Sequence, residues 1–113
     1  MQQLPQLDSS VKKELEELFI NQEESVEQTV RGIKVLAHPA RLKILCALRA
    51  GEQTVQNLEK YTGIVQATLS QHLSLLKDRG MVKARREGNF SIYSLANGEV
   101  MEIFSLIQRM YCH

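Results

Sequence analysis

Gln66, Thr68, Ser70, Gln71 and His72 put five hydrogen-bonding side chains into positions 66–72. A glutamine amide both accepts and donates, which suits the N7 and N6 edge of adenine, and Ser and Thr hydroxyls reach phosphate or base edges. On the first two turns of a helix such groups sit where the free backbone N–H groups face an anion. A solvated polar face has the same composition, so the segment takes its meaning from its neighbours. Lys83, Arg85 and Arg86 follow. They offer sequence-blind contacts to phosphates or a minor groove, although charge on an edge strand also guards against unwanted strand pairing. Cys46 and Cys112 are too few for a disulfide framework and start as thiols in a reducing compartment. The sequence lacks CxxC, HExxH, GxGxxG and GxxxxGK[ST], so no zinc ribbon, zinc protease, dinucleotide site or P-loop is expected. His38, His72 and His113 have capping, DNA or terminal positions available, and no nucleophile, base and pocket come together. The expectation is a protein that is not an enzyme and has no cofactor.

These groups need elements to hold them. Val11, Leu15, Leu18 and Phe19 space out as one face of a short helix with Asp8, Ser9 or Ser10 before it as caps. Residues 1–24 are therefore read as an acidic helical arm. Ser25-Val26-Glu27-Gln28 fits a capping box. It opens a second helix whose buried face is Val26, Val30, Ile33 and Ala37, ending near His38. Pro39 suits a first helical position, and Leu42, Ile44, Leu45, Cys46, Ala47 and Leu48 make the third helix apolar nearly all round, hence central. Thr54 caps a short helix that breaks at Tyr61-Thr62-Gly63. A longer helix then runs from about Gln66 to Arg79, with Ala67, Leu69, Leu73 and Leu76 toward the core and Gly80 as left-handed cap. Alternation in Val82 to Arg85 and in Phe90 to Tyr93, with turn chemistry at Glu87-Gly88-Asn89, predicts a basic β-hairpin over 81–95. Asn97 opens a last helix over 97–111, striped by Val100, Ile103, Phe104, Ile107 and Met110. A helix this apolar buries a second face against another subunit.

The predicted fold is mainly α with a small β-hairpin: one domain over 1–113, a helix-turn-helix at 54–79, a wing at 81–95, and a dimerisation helix at 97–111. Length and composition agree. The 113 residues are 43% hydrophobic and only 5% aromatic, without Trp, so aliphatic side chains must fill a single core. No apolar run approaches a membrane span, and MQQLPQLDSS lacks a signal-peptide pattern, so a cytoplasmic protein is expected. The net charge of +1 hides an asymmetry: residues 1–27 carry −5, and 66–95 carry +3.

LAHPARLKILCAL, followed by TGIVQATLSQHLSLLKDRGMVKARREGNFSIYSL, resembles the ArsR/SmtB family of dimeric winged-helix repressors over about residues 30–111. The resemblance implies a homodimer formed through N- and C-terminal helices, repression by occluding operator DNA, and release by an inducer bound away from the DNA. It also implies that Gln66, Thr68, Ser70, Gln71 and His72 face the major groove. Position 65 is Val where the family often has a Ser cap. The family's CxC thiolate site falls where this chain has Thr54-Val55-Gln56-Asn57-Leu58, and its last-helix Asp/His site falls on Glu99, Glu102 and His113. Cys46 in ILCAL and Cys112 in RMYCH instead match the sulfur-responsive branch of the BigR, SqrR and HlyU type. That match implies that reactive sulfur species, such as a persulfide, or oxidants join the two thiols by a disulfide or polysulfide bridge and lower the affinity for DNA.

The expected function is a transcriptional repressor released when its Cys46/Cys112 pair is modified. One alternative keeps the fold and makes it a metal or metalloid sensor, with the cysteines and His38 or His113 meeting across a dimer. Another is an interaction module that uses the last helix and binds no DNA.

Overall fold

The computed structural model describes residues 6–19 and 23–111. In chain order the elements are α1 (Ser9–Phe19), α2 (Glu23–Leu36), α3 (Pro39–Arg49), β1 (Gln53–Thr54), α4 (Val55–Thr62), α5 (Gln66–Asp78), β2 (Val82–Glu87), β3 (Phe90–Leu95) and α6 (Glu99–Tyr111). Backbone contacts divide the chain into two units, Met1–Lys34 and Val35–His113.

In the first unit, Asp8 caps α1: its Oδ1 accepts the backbone N–H groups of Ser10 (2.9 Å) and Val11 (3.0 Å). The hydrogen bond from the Ser10 hydroxyl, helped by these backbone bonds, holds the Asp8 carboxyl below its usual range. The capping box expected at Ser25 does not form. Helix α2 already begins at Glu23, which places Ser25 inside it, where its carbonyl accepts the Thr29 hydroxyl at 2.8 Å. The face expected to be buried also lies open within one chain, with Val26, Val30, Ile33 and Ala37 all exposed.

The second unit holds the core. Ile44, Leu45 and Leu48 of α3 meet Leu58 of α4 and Leu69, Leu73 and Leu76 of α5, with Val35, Met81, Val82 and Met101 closing the cluster. Helix α2 stops at Leu36, short of His38, which instead caps α3. Its Nδ1 accepts the Ala40 N–H at 3.1 Å, while Pro39 takes the first turn. Thr54 caps α4 as expected, accepting the Asn57 N–H at 3.1 Å. Asn97 accepts the Glu99 N–H at 3.0 Å and opens α6.

The strands form one antiparallel sheet in the order β1-β3-β2. Glu87 pairs with Phe90 across a two-residue turn, and Val82 with Leu95 at the base. The short β1, not foreseen from the sequence, adds Gln53 opposite Tyr93 and Thr54 opposite Ile92. The architecture is thus mainly helical with a β-hairpin, as expected, and this third strand is the addition.

Leu73 is 1% exposed, so Leu73→Ala should cost about 2–5 kcal/mol through lost burial and a residual cavity. Gly63 has φ 72°, and a Cβ there would meet nothing within 4 Å. Gly63→Ala should therefore cost only the backbone penalty of about 1–2 kcal/mol. Urea unfolding followed by circular dichroism separates the two.

Candidate nucleic-acid interface and thiol cleft

The turn between α4 and α5 is held from inside. Thr62, buried at the end of α4, donates its hydroxyl to the Leu58 carbonyl at 2.6 Å, and the same oxygen accepts the Ile64 N–H at 3.2 Å. Gly63 takes the left-handed conformation that reverses the chain, its N–H reaching the Glu59 carbonyl at 3.0 Å. Helix α5 then starts after Val65, which is extended and offers no side-chain cap, so its first-turn N–H groups stay open to solvent or a ligand.

A helix advances about 100° per residue, so the buried Leu69, Leu73 and Leu76 fix which side chains of α5 face away. Gln71 and Ala67 lie nearly opposite Leu69, flanked by Thr68, Ser70 and Ser74, and all five are exposed. Ala67, expected in the core, is corrected to the outer face: two positions from Leu69 is about 200° of rotation. An exposed methyl between Gln71 and Ser70 suits contact with a thymine methyl. Ala67, as an apolar residue, and Ser74, beyond the polar cluster at 66–72, join this face through the helical rotation alone. Gln66 is exposed on the first turn, whereas His72 is half-buried on the side facing α3.

The hairpin follows α5 directly. Gly80 (φ 70°) reverses the chain, and the Met81 N–H reaches the Leu76 carbonyl at 2.9 Å. The pairing register puts Val82, Ala84, Tyr93 and Leu95 on the core side and Lys83, Arg85, Glu87, Phe90 and Ile92 on the other. The three cations differ. Arg85 bonds Glu52 at 3.2 Å and Glu87 as well, so its charge is largely offset on the surface. Arg86 donates to the Ser91 hydroxyl at 3.2 Å. Lys83 is exposed and, among the described residues, makes no ion pair.

Cys46 lies on the outward side of α3, exposed rather than part of the core as an apolar helix suggested. It lines an open cleft of about 790 Å³ with Leu42, Lys43, Ala47, Tyr61 and Phe104. Desolvation by these walls pushes its thiol above the usual range, with Arg49 pulling the other way. Cys112 and His113 lie outside the described residues. Among the described residues, no three His, Cys, Asp or Glu side chains converge as metal ligands, and no helix is long and apolar enough to cross a membrane.

A short helix, a glycine turn, a helix with an outward polar face and an attached hairpin define a winged helix-turn-helix DNA-binding domain. Residues 38–84 match the family model described as bacterial regulatory protein, arsR family. The biofilm growth-associated repressor of Agrobacterium fabrum is 40% identical over 80 residues, covering 71% of this chain and 68% of that protein. The transcriptional activator HlyU of Vibrio cholerae is 36% identical over 90 residues, covering 80% and 83%. Its reduced form is similar in structure, with TM-score 0.72 and 34% identity over 82% of this chain and 98% of that one. The homodimeric winged helix-turn-helix domain Mb0332 of Mycobacterium bovis gives TM-score 0.73 at 36% identity, covering 80% and 84%. The chain belongs to the arsR family of transcriptional regulators. Its relatives are DNA-binding regulators, not enzymes.

In a Cys112→Ser background, Cys46 should react with iodoacetamide at pH 7 more slowly than glutathione despite its exposure. The rate should rise with a midpoint above the ordinary thiol value, because only the thiolate attacks. A stopped pH series read by mass spectrometry checks this.

Proposed function

We propose that the protein is a homodimeric repressor that binds operator DNA through α5 and the wing, and that sulfane sulfur arriving at Cys46 and Cys112 releases it. The observation that carries the DNA reading is the rotation of α5: three buried leucines leave Gln71, Thr68, Ser70 and Ser74 facing outward together. Gln66 extends this face, and Lys83, Arg85 and Arg86 of the wing contact phosphates or the minor groove. The apolar face of α6 supports the dimer: Ile103, Leu106, Ile107 and Met110 are each roughly half exposed or more in the single chain, a pattern that calls for a partner surface. The homodimeric Mb0332 domain supports the same assembly. Operator DNA is then spanned by two α5 helices about one helical turn apart. Repression, rather than activation, follows the repressor among the relatives.

For the switch, Cys46 faces an open cleft beside α6 instead of packing inside, so reagents can reach it. Cys112 follows α6 in sequence, and its match to the sulfur-responsive branch completes the pair. A small-molecule persulfide RSSH transfers its outer sulfur to each thiol, releasing two RSH. Attack of one cysteine persulfide on the other then forms a trisulfide and releases HS⁻. This bridge is longer than a disulfide, whose Cα atoms must lie within about 7 Å, and it ties α3 to the dimer helix.

The decisive experiment is operator binding by the reduced protein, with and without a persulfide donor, for wild type, Cys46→Ser and Cys112→Ser. Both variants should bind DNA and resist release. Tryptic peptides of the treated wild type should show a 46–112 crosslink one or more sulfur atoms heavier than a disulfide. Normal release of Cys112→Ser would exclude the pair as sensor.

Gln71→Ala should cost about 1–3 kcal/mol of sequence discrimination, whereas Lys83→Ala should weaken binding to all duplexes and lower the salt slope by about one. Arg85→Ala should do less than Lys83→Ala, because Glu52 and Glu87 already offset its charge. Fluorescence anisotropy over a salt series reads all three. Ile107→Glu should give a monomer in sedimentation.

A further inference from the structure

His72 stands half-buried on the second turn of α5, with its ring 4.8 Å from that of His38 and tilted 57° to it. Its Nδ1 accepts a long, 3.4 Å hydrogen bond from Arg41 Nε, while Arg41 Nη1 donates to the Val35 carbonyl at 3.1 Å. His38 uses its own Nδ1 to accept the Ala40 N–H at 3.1 Å and so caps α3. Both imidazoles therefore turn Nδ1 toward a group that can only donate, since neither a guanidinium nor a backbone N–H can accept. With Nδ1 accepting, the His72 ring is neutral and carries its proton on Nε2. A proton added to Nδ1 of His72 faces a cation, the Arg41 guanidinium.

We propose that His38, Arg41 and His72 form a positioning relay that holds the DNA-facing helix α5 against the start of α3 only while His72 is neutral, so that mild acid weakens DNA binding. The proposal rests on the reading of α5 as the DNA-facing helix, and it makes His72 a positioning residue instead of a base contact. The groups that bear on His72 electrostatically are His38 and Arg41, at and near the start of α3. The neighbouring turns of α5 carry Thr68, Leu69, Leu75 and Leu76, none of them charged. Val35, at the end of α2, contributes its carbonyl to Arg41. Desolvation first, then His38 and Arg41, lower the His72 pKa from the ordinary imidazole value of 6.5. The unfolded chain thus binds the proton more readily. The stabilising effect of neutral His72 is fully present above that ordinary value and is lost as pH falls toward the folded-state value.

The two roles for His72 predict opposite signs. An imidazolium touching phosphate or a base edge strengthens DNA binding in acid, whereas a broken relay weakens it. The test uses a duplex selected from a randomised pool by the full, reduced chain at pH 8, with Kd measured by anisotropy from pH 8 to pH 6 at constant ionic strength. Circular dichroism at each pH confirms folding. Wild type should lose roughly threefold in affinity by pH 6, the part of the tenfold from a one-unit pKa difference that develops before both states have titrated. Asn presents Oδ1 where the ring presents Nδ1 and does not titrate, and it is a strong N-cap. His38→Asn and His72→Asn together should therefore flatten the profile and bind better at pH 8 than the corresponding Ala pair. Tighter wild-type binding in acid, or an unchanged slope in the Asn pair, would overturn the relay. Failure to recover any duplex at pH 8 would overturn the DNA reading of α5 and the proposal with it. In that case NMR titration of the His72 ring still separates the two failures: a midpoint below the ordinary value marks a relay without DNA, and one at or above it marks no relay.

Discussion

The rotation of α5 about its own axis is the constraint on which the functional surface depends. Leu69, Leu73 and Leu76 are essentially inaccessible to solvent, and turning the helix by one residue would expose them while burying Ser70 or Thr68. Burying a leucine is worth roughly 1.5–3 kcal/mol, so three of them fix the orientation far more firmly than any surface hydrogen bond could. The outward display of polar side chains is therefore a by-product of core packing. Helix α5 needs no side-chain cap at Val65 to be set in place, which leaves its N-terminal N–H groups uncommitted.

Local chemistry was the part most legible in the sequence. Caps at His38, Thr54 and Asn97, the turn at Gly63 and the hairpin all follow from signals within a few residues. The misreadings come from two sources. Ser25 fits a capping pattern, but the pattern does not specify where a helix starts, and α2 begins earlier. Cys46 sits in an apolar run, yet only Ile44, Leu45 and Leu48 of α3 are buried, since a run of apolar residues has no inherent direction. Ala67 is apolar by type, but its angle on the helix sets it opposite the buried Leu69.

Non-local relations were invisible for a different reason. Arg85 meets Glu52 across 33 positions, and Arg41 meets His72 across 31. Nothing near either residue announces its partner, because such pairs exist only after the helices and hairpin have docked. The consequence differs in the two cases. Arg85 loses part of the charge that made it look like a phosphate contact, whereas His72 is drawn toward α3 and away from the polar face it shares in sequence. Strand β1 belongs with these, as two residues carry no strand signal of their own and are ordered by their neighbour β3.

That two-residue strand has a mechanical consequence. Gln53 and Thr54 join the sheet to the residue that caps α4, so the hairpin is anchored at its base both to the end of α5 and to the beginning of α4. A hairpin tethered at one point would sample many directions, and each contact made by its tip would carry its own ordering cost. Anchored at two, it reaches a ligand together with α5, and once one of them has engaged, the other is presented at high effective concentration. A substitution that loosens the Thr54–Ile92 pairing would therefore act as a longer, softer linker does, weakening attachment without removing a single contact from the binding surface.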